Sequence, residues 1–75
     1  MQKTMETVFI TTEYIKLESF LKLANLVMSG GEAKLMIQDG LVKVNGETCL
    51  MRGKKLREGD VVSFRGTKIQ VAYAP

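Results

Sequence analysis

Five cationic side chains crowd into residues 41–57: Lys43, Arg52, Lys54, Lys55 and Arg57, with Glu47 the single acid among them. That segment is net +4 in a chain that is net +3, so the remainder is net −1. Charge gathered in one stretch is the footprint of a surface that meets a polyanion. A solvated basic loop is the plain alternative. A second feature able to do chemistry lies upstream, in the run SGGEAK at residues 29–34. Ser29 and Glu32 fit a capping box, with the Ser29 hydroxyl accepting from the Glu32 amide and the Glu32 carboxylate returning to the Ser29 amide. A helix start leaves backbone amides unpaired at the positive end of the dipole, which attracts phosphate. Glycine at 30 and 31 removes the side chains that would hold a phosphate off the backbone. Lys34 follows in the same helix, and Lys16 opens the helix before it.

Other chemistries have no residues to rest on. With no histidine and one cysteine, Cys49, there is no Ser-His or Cys-His nucleophile pair and no zinc site of the usual kind. Cys49 falls in a predicted strand and reads as a buried, inert thiol. The glycine pair lacks the G-x-x-x-x-G-K-[ST] spacing of a phosphate loop, and it follows a helix where a dinucleotide fingerprint follows a strand. The acids are scattered singly, with no pair placed for acid–base work. The sequence therefore points away from an enzyme and names no cofactor, metal or small-molecule substrate. A single cysteine fits a reducing compartment, and no apolar run approaches the ~20 residues that span a bilayer, so a cytoplasmic protein without membrane contact is expected.

The elements that must position these groups are short. Seventy-five residues make one domain, residues 1–75, and 45% hydrophobic with 25% charged side chains is a globular composition. Residues 6–11 alternate Val8 and Ile10 against Thr7, Phe9 and Thr11, a strand pattern. Leu17, Phe20, Leu21 and Ala24 then form a helical stripe, which Asn25 can end in a left-handed conformation. Ser29 caps a second helix of about ten residues, with Ala33, Met36 and Ile37 buried and Gly40 as its left-handed exit. From Leu41 the period becomes two. Val42 and Val44 face one side, Leu41 and Lys43 the other, and Asn45-Gly46 suits a type I′ hairpin turn. Residues 52–60 read as a polar connection with a turn at Gly59-Asp60. Strands follow at residues 61–64 and 68–74, with Ile69, Val71 and Tyr73 facing the core. The order predicts an α+β fold, two short helices packed on a small, mostly antiparallel sheet.

Residues 16–62 resemble the S-four RNA-binding domain family, whose core is called the alpha-L motif. The family's basic-Leu-acid-x-x-Leu helix is matched by Lys16-Leu17-Glu18-Ser19-Phe20-Leu21. Its serine turn and Glu-Ala-basic helix start are matched by Ser29 and Glu32-Ala33-Lys34. The Ile-x-x-Gly-x-Val-x-Val-Asn-Gly run is matched from Ile37 to Gly46, and the closing Gly-Asp by Gly59-Asp60. The match runs without a gap over 47 of 75 residues. The short chain, with strands flanking the motif, is most similar to small stand-alone bacterial members.

The resemblance implies a non-enzymatic protein that binds structured RNA, ribosomal or transfer RNA, through phosphates and shape, with the ribosome as a partner and the chain acting as a monomer. It implies contacts from Lys16, the Ser29 turn, Lys34, Lys43 and the Asn45 loop. Arg52, Lys54 and Lys55 extend that set from charge alone, on a loop that has no structural need of three neighbouring cations. The family usually has arginine where this chain has Gly30, so Gly30 and Gly31 either present bare amides to a phosphate or mark a turn that no longer touches RNA. Two rival functions remain: a protein–protein adaptor anchored by exposed Leu35 and Leu41, and a nucleic-acid binder that also accepts DNA.

Overall fold

The computed structural model describes residues 5–75. Nine short elements follow one another: β1 (Glu6–Ile10), β2 (Ile15–Lys16), α1 (Leu17–Leu23), α2 (Gly30–Gln38), β3 (Val42–Val44), β4 (Glu47–Thr48), β5 (Lys55–Leu56), β6 (Val61–Phe64) and β7 (Thr67–Tyr73). The main sheet has the order β1-β7-β6-β3-β4, and β2 pairs with β5 in a separate two-stranded ribbon. All pairings are antiparallel except β1 with β7, which run parallel in the register Val8↔Val71. The predicted α+β class and mostly antiparallel sheet are those observed.

One side of the main sheet is covered and the other is open. The core takes Leu17, Phe20 and Leu21 from α1, Ala33 and Ile37 from α2, and the alternate strand positions Ile10, Val42, Val44, Val62, Phe64, Ile69 and Val71. Residues between those positions point the other way, as the two-residue period of a strand requires. The helix ends follow local chemistry. Asn25 takes φ 61° just beyond α1, and Gly40 takes φ 77° beyond α2. Asn45 and Gly46 both have positive φ between β3 and β4, the type I′ hairpin that dipeptide favours. Arg65-Gly66 repeats the device between β6 and β7, with arginine at φ 53°.

Several expectations need correction. Residues 52–60 are not simply a polar connection, because Lys55 and Leu56 form β5 and Leu56 is fully buried. Tyr73 is 38% exposed; it ends β7 two positions beyond buried Val71, and its phenol hydroxyl keeps that tip in water. Met36 and Ala24 pack against the edge of the core and are only partly buried. Met36 sulfur instead accepts from the Arg65 guanidinium at 3.6 Å. Cys49 lies just past β4, half-buried, with its thiol directed at the Met51 carbonyl at 3.7 Å. β1 stops at Ile10, one residue short of the expected end, and β7 is shifted by one.

Candidate nucleic-acid interface

The ribbon turns a local sequence pattern into a cationic surface. β2 and β5 pair as Ile15↔Leu56 and Lys16↔Lys55. Directly opposed residues of an antiparallel pair share a face. Leu56 is therefore driven inward beside half-buried Ile15, while Lys16 and Lys55 stand outward together. Tyr14 and Arg57 lie two residues from Lys16 and Lys55 respectively, so they share that outer face. The Tyr14 ring holds both neighbours: Lys55 Nζ is 4.8 Å and Arg57 Cζ 5.5 Å from its centroid. Such cation–π contacts are worth about 0.5–1 kcal/mol at exposed sites. Lys16 opposite Lys55 works against the ribbon, since like charges directly opposed are unfavourable. A face with two cations on a tyrosine and a third, Lys16, on the same side is thus kept at a cost to local stability.

Arg52 and Lys54 are tied to the start of α1 through their backbone. The Leu17 amide donates to the Lys54 carbonyl at 2.8 Å and the Glu18 amide to the Arg52 carbonyl at 3.1 Å. Lys16, the N-cap of α1, offers no side-chain cap, so these carbonyls satisfy amides that α1 would otherwise leave bare. The segment expected to have no structural need of its cations therefore does structural work through its main chain. It anchors the backbone of residues 52 and 54 at the start of α1 and occupies its first two amides. Lys16, Lys55 and Arg57 share the outer face of the ribbon, while the Lys54 side chain leaves from the other side, beside Glu47, Cys49 and Met51.

The start of α2 is a separate corner. Ser29 Oγ accepts from the Glu32 amide at 3.1 Å, as predicted. The Glu32 carboxylate accepts from the Met28 amide at 2.8 Å, one residue earlier than the Ser29 amide expected of a capping box. The Ala33 amide bonds the Ser29 carbonyl at 3.0 Å. These bonds leave the Gly30 and Gly31 amides as the first-turn donors facing outward. Neither glycine has positive φ, so the backbone does not demand glycine at either position. A Cβ at Gly30 would stand 4.0 Å from Lys22 Nζ, and one at Gly31 3.9 Å from Ser29 Oγ. The structure thus brings Lys22, from the last turn of α1, to the glycine pair, with exposed Lys34 one turn along α2. At 1.5 Å per residue, Lys16 and Lys22 are separated along α1 by about 9 Å, so one extended ligand can reach both corners.

Lys43 does not join either group. It sits between buried Val42 and Val44, so its side chain leaves from the open face of the main sheet. There it stands in a cross-strand row with Ser63 and Lys68. Asn45 is committed inside the protein. Its Nδ2 donates to Asp60 at 3.1 Å, its Oδ1 accepts from the Val61 amide at 2.9 Å, and its own amide donates to the Val61 carbonyl at 2.7 Å. Asp60 also accepts from the Arg57 amide at 2.8 Å. The turn at Gly59-Asp60 is therefore a strut that links the hairpin to the end of the ribbon.

Tyr14 was not singled out as a contact from sequence, and Arg57 entered only through the charge of its segment. The signal for the first was present as Tyr14-x-Lys16 set against Lys55-x-Arg57, two period-two pairs that become one face once β2 and β5 pair. Among the described residues, no group of three or more carboxylates, cysteines or histidines is placed to hold a metal ion, and no helix is long and apolar enough to cross a membrane.

Comparison with known proteins agrees with this fold. A family model described as S4 domain matches residues 8–72. The chain is 49% identical over 57 residues to the "probable ribosome maturation protein RlbA" of Bacillus subtilis (strain 168), covering 76% of this chain and 80% of that protein. It is 38% identical over 58 residues to YbcJ of Escherichia coli (strain K12), a protein named for RNA binding, covering 77% of this chain and 83% of YbcJ. The solution structure of YbcJ, described as revealing an alpha-L motif involved in RNA binding, superposes with a TM-score of 0.71 at 33% identity, over 96% of this chain and 92% of that one. The 30S ribosomal protein S4e of Thermoplasma acidophilum gives a TM-score of 0.65 at 25% identity, over 85% of this chain and 34% of that longer one. With a family model matching residues 8–72 and relatives 38% and 49% identical over most of its length, this chain belongs to the S4 domain family.

Proposed function

We propose that the protein binds structured RNA, ribosomal RNA foremost, as a monomeric, non-enzymatic module that acts during ribosome maturation. The observation that carries this reading is the ribbon face, where Lys55 and Arg57 pack on Tyr14 with Lys16 on the same side, together with Arg52 and Lys54 on the segment that caps α1. A protein gains nothing in stability from setting Lys16 against Lys55, so the arrangement is best explained by a polyanionic ligand. Phosphate contacts from this face supply affinity and orientation. The Gly30 and Gly31 amides, with Lys22 and Lys34, extend the contact at the start of α2. Lys43 adds to the positive field from the open sheet face, and Asn45 contributes by holding the ribbon's end in place. The names of the RlbA and YbcJ relatives support RNA as ligand and the ribosome as setting.

The test is Lys54→Glu with Lys55→Glu, assayed against a labelled ribosomal RNA stem-loop at low salt. Affinity is expected to fall below detection while the thermal transition is retained. Unchanged affinity would reduce the patch to a solvated surface. Crosslinking in cells, followed by sequencing of the attached RNA, tests the ribosomal assignment directly, and recovery of transfer RNA alone would overturn it.

A further inference from the structure

Beside the ribbon lies a depression of about 550 Å³ lined by Thr11, Thr12, Glu13, Tyr14 and Tyr73. We propose that it receives one unpaired RNA base, stacked on Tyr14 and Tyr73, while the adjacent cations hold the flanking phosphates. The inference rests on the RNA-binding reading above and adds to it a contact that reads an extruded nucleotide.

Both walls are aromatic and both are open. Tyr14 is 37% and Tyr73 38% exposed. Both are also held in place. Lys55 and Arg57 pack on Tyr14, and the Thr12 hydroxyl donates to the Tyr14 carbonyl at 2.7 Å. Tyr73 is in register with Ile10, and the Ala74 amide extends that parallel pairing to the Ile10 carbonyl at 2.9 Å. Glu13 decides what enters. Its carboxylate repels phosphate, so a neutral group fits the depression while phosphates stay with Lys55 and Arg57. A neutral, flat group tethered to phosphates on either side is a nucleobase. Aromatic side chains stack on unpaired bases irrespective of base identity, because every base presents a π-face.

The experiment uses two RNA hairpins with the same stem, one fully paired and one carrying a single bulged 2-aminopurine. The protein is expected to bind the bulged hairpin about 5- to 150-fold more tightly, the range for one stacked base, and to quench the 2-aminopurine fluorescence. Tyr73→Leu, whose side chain holds none of the cations, is expected to bring the bulged hairpin down to the affinity of the paired one. Equal affinity of the protein for the two hairpins overturns the inference, as does undiminished fluorescence on binding. Equal losses on both hairpins from Tyr73→Leu also overturn it. If the protein binds neither hairpin at low salt, the RNA reading itself fails, an outcome distinct from binding both equally.

Discussion

Neutralising the ribbon should change how RNA affinity depends on salt by an amount that can be worked out beforehand. The ribbon and the segment that caps α1 together hold Lys16, Arg52, Lys54, Lys55 and Arg57. If each neutralises one phosphate, the slope of log K against log salt is about −4.5, from ~0.9 per contact on a duplex. A fourfold rise in salt, from 50 to 200 mM, then weakens binding about 500-fold. The triple variant Lys16→Gln, Lys55→Gln, Arg57→Gln keeps two contacts, so its slope should be about −1.8 and the same rise should cost only about 12-fold. Glutamine retains length and polarity, and all three positions are exposed. Leu56 stays buried and the carbonyls of residues 52 and 54 still cap α1, so the fold should persist. Fluorescence anisotropy with a labelled stem-loop at four salt concentrations measures the slope, and circular dichroism checks the fold. A folded variant whose slope lies within one unit of the parent would refute the reasoning, because the affinity would then come from elsewhere on the surface.

Three further outcomes follow from the same geometry. Lys16→Gln alone should raise the stability to urea by about 0.2–1 kcal/mol, because it removes the like-charge pair with Lys55, while RNA affinity falls; a loss of stability would count against the ribbon register. Gly30→Ala with Gly31→Ala should stabilise α2 by roughly 1–2 kcal/mol in thermal unfolding, since neither added methyl meets a close neighbour, and should weaken RNA binding; unchanged affinity would show that those amides touch no phosphate. Asn45→Ala should cost about 2–4 kcal/mol in denaturant unfolding, from two lost side-chain hydrogen bonds and a left-handed backbone that alanine resists; a cost under 1 kcal/mol would show that the strut to Asp60 and Val61 is not needed.

What could be read from the sequence, and what could not, divides by range. α2 was readable because its determinants are adjacent in the chain: Ser29 caps it, Ala33 and Ile37 mark its inner face and Gly40 releases it. The β3–β4 hairpin was readable because Asn45-Gly46 specifies its own dihedral angles. The basic segment showed itself by charge alone. The ribbon did not, because two residues on each side cannot display a period. It forms because α1 needs acceptors for Leu17 and Glu18, and residues 54 and 52 supply them from 37 and 34 positions away. The parallel pairing of β1 with β7 is equally non-local. Tyr73 misled because its alternation with Ile69 and Val71 is correct while the covering layer ends before it. Lys43 was placed with the other cations on sequence proximity, which does not say which side of a sheet a residue leaves from.

The burial of Leu56 directly behind the cationic face has a consequence for motion. The proposed recognition surface is only one residue deep, and its reverse side is core. The ribbon cannot fray by a local opening without exposing a fully buried leucine and uncapping α1, so its amides should exchange with solvent near the rate set by global unfolding. RNA bound at that face would then tighten the entire domain by mass action and slow exchange as far away as β7, well beyond its footprint. In this protein the proposed binding surface and the hydrophobic core share a wall, and occupancy of one should be measurable as protection of the other.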